Sequence, residues 1–137
     1  MSQENLEAAQ RLIEAFNRRD DDCQSVLAEL SHDIEVVDLD ISLDAEHFRG
    51  HAGARNWLDI WSDAWGSWRI EDLEMRPVGE DRVFALFRML CKGKGSGVEL
   101  SRRDAIIFTL RAGKIAEIVA YNEQQLPQAF ESVGLSE

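Results

Sequence analysis

The chain has 137 residues, of which 45% are hydrophobic and 30% charged, and its formal net charge is −11. That length suits one folded domain spanning residues 1–137, large enough to bury a core without staples. The acidic balance favours solubility and repels phosphate backbones, which argues against nucleic-acid binding, and no apolar run approaches the ~18 residues of a membrane span.

The chain starts Met1-Ser2-Gln3-Glu4, without the basic start and apolar core of a secretory leader. Cys23 and Cys91 have no metal-like spacing and read as small buried hydrophobes. A reducing, cytoplasmic setting is the expectation. The first helix is expected over about Asn5–Arg18, because Ala9, Leu12, Ile13 and Phe16 recur at helical spacing on one face. Asp20, Asp21 and Asp22 suit the start of a second helix that buries Cys23, Val26, Leu27 and Leu30.

Ile34–Leu39 reads as a strand with Ile34, Val36 and Asp38 on its inward face. A polar stretch from Asp44 to Gly50 precedes a third helix, about Ala52–Trp65. Its stripe is Ala54, Trp57, Leu58, Trp61 and Trp65, and Gly66 supplies a stop. Four strands then follow, Trp68–Val78, Arg82–Lys92, Val98–Leu110 and Ile115–Asn122, as antiparallel neighbours. Arg82–Lys92 is apolar on both faces, which suggests a central strand with helices on one side and a partner subunit on the other. A short last helix begins near Pro127 and closes at Gly134. Gly93–Gly97 lacks the strand-to-helix context of a phosphate cradle and reads as a hairpin connection.

The expected fold is α+β: a cone-shaped, curved, mainly antiparallel sheet, three helices from the first half packed on it, and a short C-terminal helix. A sheet bent around a helix leaves an opening at its wide end where a ligand would enter.

The chain resembles the nuclear transport factor 2-like superfamily, in its SnoaL-like and ketosteroid-isomerase-like branch. The likeness is carried by Phe16-Asn17-Arg18-Arg19-Asp20, Phe48-Arg49-Gly50-His51-Ala52-Gly53, Gly93-Lys94-Gly95-Ser96-Gly97-Val98, Gly113-Lys114-Ile115 with Tyr121, and Val133-Gly134-Leu135. Their order and spacing are specific for the fold rather than for one activity, since this scaffold carries isomerases, cyclases, dehydratases and binders. The resemblance implies a homodimer paired through the outer sheet face.

Asp38 is the leading candidate for chemistry: a carboxylate on an apolar face must be paired, hydrogen-bonded or protonated. Poor hydration there would move it toward the range of a general base. The resemblance implies the same role, because Asp38 falls where ketosteroid isomerases keep the aspartate that moves a proton between carbons. The same comparison puts Leu12 at the position of the isomerase's tyrosine donor, and Ala105 or Ile106 at that of its protonated acid. None of these side chains donates a hydrogen bond, so steroid isomerisation by that route is not implied.

Asp104 is a second candidate acid, with a pair to Arg88, Arg102 or Arg103 as the competing role. Trp57 and Trp61 either fill the core or line a pocket for a flat apolar ligand. Arg88 either binds substrate or pairs with Asp38, Asp104 or Glu99. Tyr121 is a candidate donor to a substrate oxygen or a rim residue, and His51 a candidate acid or base near the mouth. His47 and His51 have the spacing of a helical metal pair, but the glycine and loop between them argue against it, so no metal and no cofactor is expected.

Three functions are open at this point. One is a cofactor-independent isomerase, cyclase or dehydratase acting on a small hydrophobic carbonyl compound through Asp38. The others are a non-catalytic small-ligand carrier or sensor, and a dimeric interaction module whose cavity its own side chains fill.

Overall fold

The computed structural model describes residues 2–18, 23–39 and 46–135. The expected roles of Arg19, Asp20, Asp21, Asp22 and Asp44 lie outside the described residues. In chain order the elements are α1 (Ser2–Arg18), α2 (Gln24–Ala28), β1 (Leu30–Asp38), β2 (Glu46–Arg49), α3 (Gly50–Ala64), β3 (Trp65–Val78), β4 (Arg82–Gly93), β5 (Glu99–Arg111), β6 (Lys114–Tyr121), a 3₁₀ turn (Glu123–Gln125) and α4 (Leu126–Ser132). The described strands form one curved, unclosed sheet in the order β2-β1-β6-β5-β4-β3. The expected α+β architecture is therefore the observed one. β3, β4, β5 and β6 pair antiparallel with one another in turn, whereas β1 lies parallel to β6 and so joins the two halves of the sheet. No described helix is long and apolar enough to cross a membrane.

The inner sheet face packs on α1 and α3. From β1 it presents Ile34, Val36 and Asp38, and from β4 Val83, Ala85, Phe87, Met89 and Cys91. Against them lie Leu12, Ile13 and Phe16 of α1 and Ala54, Trp57 and Leu58 of α3, as the helical spacing requires. Asn17 fixes the end of α1 to β3: its amide donates to the Ile70 carbonyl at 2.9 Å and accepts from the Ile70 N–H at 2.8 Å.

The outer face of β4 has its own cover. Phe84 and Leu86 pack with Ala105, Ile107, Leu126, Ala129 and Phe130, and the Phe84 and Phe130 rings lie 5.0 Å apart. Within the chain itself, α4 thus covers Phe84 and Leu86 on the outer face of β4.

Several boundaries differ from expectation, for physical reasons. β1 begins at Leu30 rather than Ile34: Leu30 lies opposite Ile115 of β6, and after a register shift the pairing resumes at Glu35. β2 falls inside the stretch read as polar loop. It is a short edge strand whose hydrogen bonds, not its side chains, place it, with Val36 opposite Phe48. Trp65 does not extend the stripe of α3, and Gly66 does not stop it. The helix ends at Ala64, and Trp65 is extended (φ −125°) and pairs with Gly93 as the first residue of β3.

The Phe48–Gly53 motif has a steric basis. Gly50 turns the chain into α3 at φ +70°, and a Cβ at Gly53 would lie 2.9 Å from the Phe48 carbonyl carbon. A helix interior ordinarily prefers alanine to glycine by about 1 kcal/mol. Here Gly53→Ala is expected to destabilise the protein by about 1–3 kcal/mol, as overpacking does. Denaturant unfolding measures it, and unchanged or raised stability would show that the close approach is not required.

The β1–β5 side carries a titrating pair. Asp33 is held below the usual aspartate range chiefly by the Ser31 hydroxyl, which donates at 3.0 Å; desolvation opposes this, and the charge of Arg111 adds a further lowering. A carboxylate with a lowered folded-state pKa adds stability above its unfolded pKa and loses it as pH falls through the folded value. Asp33→Asn is therefore expected to remove a small, salt-sensitive stabilisation near neutrality and to converge with wild type in strong acid, as followed by thermal unfolding from pH 7 to pH 2.

Candidate active site

Asp38 is the last residue of β1 and its position is set by backbone bonds. It lies opposite Ala120 of β6; the next residue, Leu39, donates its N–H to the Ala120 carbonyl at 3.1 Å. The Leu39 carbonyl in turn accepts from the Gln125 side chain at 2.9 Å. The carboxylate that results from this placement is 0% exposed.

Trp57 and Trp61 stand one turn apart on α3, which points both indoles at the same spot. Trp57 Nε1–H donates to Asp38 Oδ2 at 2.6 Å, and Trp61 Nε1–H donates to the same oxygen at 3.3 Å. Indole nitrogen is a donor only, so the Asp38 oxygen is the acceptor in both bonds. The two readings of these tryptophans merge: they are core residues and also part of the pocket. Phe16 meets Trp57 edge-on at 5.7 Å and Trp68 at 6.0 Å, and Trp61 meets Trp68 at 5.9 Å.

These rings enclose a narrow cavity of about 30 Å³, lined also by Phe87, Met89, Asp104, Ile106 and Tyr121. It holds one or two waters' worth of space. Asp104 faces it from β5 on the same side as Ile106, and its competing role is the observed one. Arg102, two residues earlier on that face, donates from Nε at 2.7 Å and from Nη2 at 2.9 Å to its two carboxylate oxygens. Tyr121 is 7% exposed and borders the cavity, but it alternates with the inward Ala120 and packs with Phe84, Leu86 and Ala105 in the outer-face cluster.

Arg88 and His51 do not join this site. Arg88 alternates with the inward residues of β4 and lies on the outer face, where it donates to Ser101 Oγ at 3.0 Å and approaches Asp72 at 3.9 Å. Its expected partners Asp38, Asp104 and Glu99 are replaced by these two. His51 is exposed at the start of α3, with Nε2 3.1 Å from the Leu30 carbonyl oxygen, and does not line the cavity. Trp68 and Phe16 are cavity residues that motif reasoning missed. Period-two alternation from Ile70 was the available signal for Trp68. Among the described residues no three His, Cys, Asp or Glu side chains converge as a metal site.

The sequence pattern of the SnoaL-like domain matches residues 9–118. The chain belongs to the SnoaL-like domain family. Within the wider NTF2-like superfamily, its fold is similar to a provisionally named polyketide cyclase from Xanthomonas campestris pv. campestris, with 22% identity and a TM-score of 0.76 over 97% of this chain and 96% of that one. It is also similar to TerC co-crystallised with polyporic acid, at 22% identity and a TM-score of 0.70 over 95% and 97%. An NTF2-like protein from Burkholderia xenovorans LB400 has 23% identity and a TM-score of 0.73 over 94% and 97%. At these identities the likeness is one of fold. No curated protein matches the chain.

The two indole bonds to this SnoaL-like protein's Asp38 are unequal in length and burial, which makes them separable. Trp57→Phe removes the shorter, buried donor and is expected to cost about 1–3 kcal/mol beyond the loss of ring volume. Trp61→Phe should cost less, because its bond is 3.3 Å long and its ring is half-buried. Equal losses in urea unfolding of the two variants would show that ring packing, not the donor, holds the carboxylate.

Proposed function

We propose that this SnoaL-like protein binds a small, largely apolar carbonyl compound and moves a proton on it through Asp38, without a cofactor. The observation that carries the reading is the fully buried Asp38 carboxylate, aimed by two neutral N–H donors into an aromatic cavity. The two acids of the cavity differ in a way that selects between them. Asp104 is bound through both oxygens by the Arg102 guanidinium, which occupies it as an ion-pair partner. Asp38 instead takes its two indole donors on one oxygen, Oδ2, which aims the carboxylate into the aromatic cavity.

In this mechanism the carboxylate of Asp38 takes a proton from the carbon next to a carbonyl. The C–H bond breaks, an O–H bond forms on Asp38, and the electron pair moves to the carbonyl oxygen as an enolate. The Trp61 indole N–H, whose bond to Asp38 is the longer of the two, is the donor suited to turn to that oxygen. Return of the proton to a different carbon completes an isomerisation, and ring closure from the same enolate would complete a cyclisation.

A narrow, ring-filled cavity also favours a second reading, an interaction module with no turnover. Deuterium incorporation separates the two. In heavy water the protein should accelerate exchange at the α-carbon of small cyclic ketones, followed by NMR. Asp38→Asn should reduce that acceleration by ~10²–10⁴-fold, the range of general acid–base catalysis. Exchange at the buffer rate across a broad ketone panel would sink the enzymatic reading and leave the module.

A further inference from the structure

We propose that Trp68 divides the ligand-binding region into two compartments, and that the ring body of the ligand lies in the outer one. The inference rests on the proton-transfer reading above and adds where the remainder of the substrate goes. The cavity at Asp38, at about 30 Å³, admits a carbonyl or hydroxyl oxygen but not a ring. A second hollow of about 640 Å³ opens where the register of β3, β4 and β5 lines up Trp68, Cys91 and Leu100. That volume is in the ~300–1,000 Å³ range of small-molecule pockets.

Trp68 is the side chain common to both hollows among the described residues. It is 6% exposed and held between the rings of Phe16 and Trp61, so it stands as a wall rather than as a solvent-facing flap. The floor of the outer hollow is apolar, formed by Trp68, Cys91 and Leu100, while Ser67, Arg69 and Glu99 make a polar rim. Asn17 also lines it, but its amide is committed to the Ile70 backbone and marks a fixed edge.

This arrangement fits a flat, uncharged ligand of one or two rings bearing a single projecting carbonyl. The rings rest on the outer floor, and the oxygen-bearing arm passes the indole edge toward Asp38. Trp61 is the neighbour that yields, because it is half-buried and its bond to Asp38 is the longer one. Trp68 then acts as a specificity-determining residue: it excludes rings from the inner cavity and admits the arm.

Prodan, a neutral naphthyl ketone whose emission moves to the blue in apolar surroundings, tests this. It should bind wild type saturably with blue-shifted emission. Leu100→Trp and Leu100→Tyr, which fill the outer hollow from its floor, should each weaken binding at least tenfold. Leu100 is half-buried, so Leu100→Tyr, whose hydroxyl can reach solvent, decides the matter alone if Leu100→Trp fails to fold, as judged by its thermal midpoint. Trp68→Ala joins the compartments and should shift the bound dye's emission further to the blue. No saturable binding to wild type, affinity within tenfold of wild type in a folded filled variant, or unchanged emission in Trp68→Ala overturns the proposal. None of these outcomes bears on Asp38, whose role is read separately by deuterium exchange.

Discussion

The inner half of this protein is organised around one solvation problem. A carboxylate with no exposure to water needs hydrogen bonds, and Asp38 draws two from α3. That requirement sets the rotation of α3 about its axis, because Trp57 and Trp61 must point at one oxygen. It also sets how closely α3 approaches the β1–β2 edge, where Gly53 meets the backbone of Phe48. The aromatic stack of Phe16, Trp57, Trp61 and Trp68 then follows as the apolar filling around a polar centre.

A second acid in the same cavity has the opposite treatment. Asp104 is tied to Arg102 by a bidentate pair contained within one strand face, so its charge is compensated locally. Asp38 is held by neutral dipoles from a different element. The two acids of the cavity thus take donors from different places, Asp104 from its own strand and Asp38 from α3.

Much of this was legible in the chain. Period-two alternation put Ile34, Val36 and Asp38 on one face, and helical spacing put Trp57 and Trp61 on another. Neither pattern reveals that the two faces meet through N–H···O bonds, because that depends on how far apart and in what phase the elements dock. Arg88 shows a different limit. β4 is apolar on both sides, so its pattern does not say which side is inner, and Arg88 belongs to the outer one. β2 was invisible because an edge strand of Glu46, His47, Phe48 and Arg49 is defined by the partner that hydrogen-bonds it.

The Gln125 bond to the Leu39 carbonyl has a consequence for how such proteins diversify. It fastens the segment leading into α4 to the residue immediately after the buried acid, while α4 itself grips the far side of the sheet through Phe130. Changes in this tail therefore reach the buried acid from behind, through the strand end that carries it and through Ala105 and Tyr121, which α4 backs. Reshaping the tail would shift the carboxylate and the rear of the chamber while leaving its aromatic front in place.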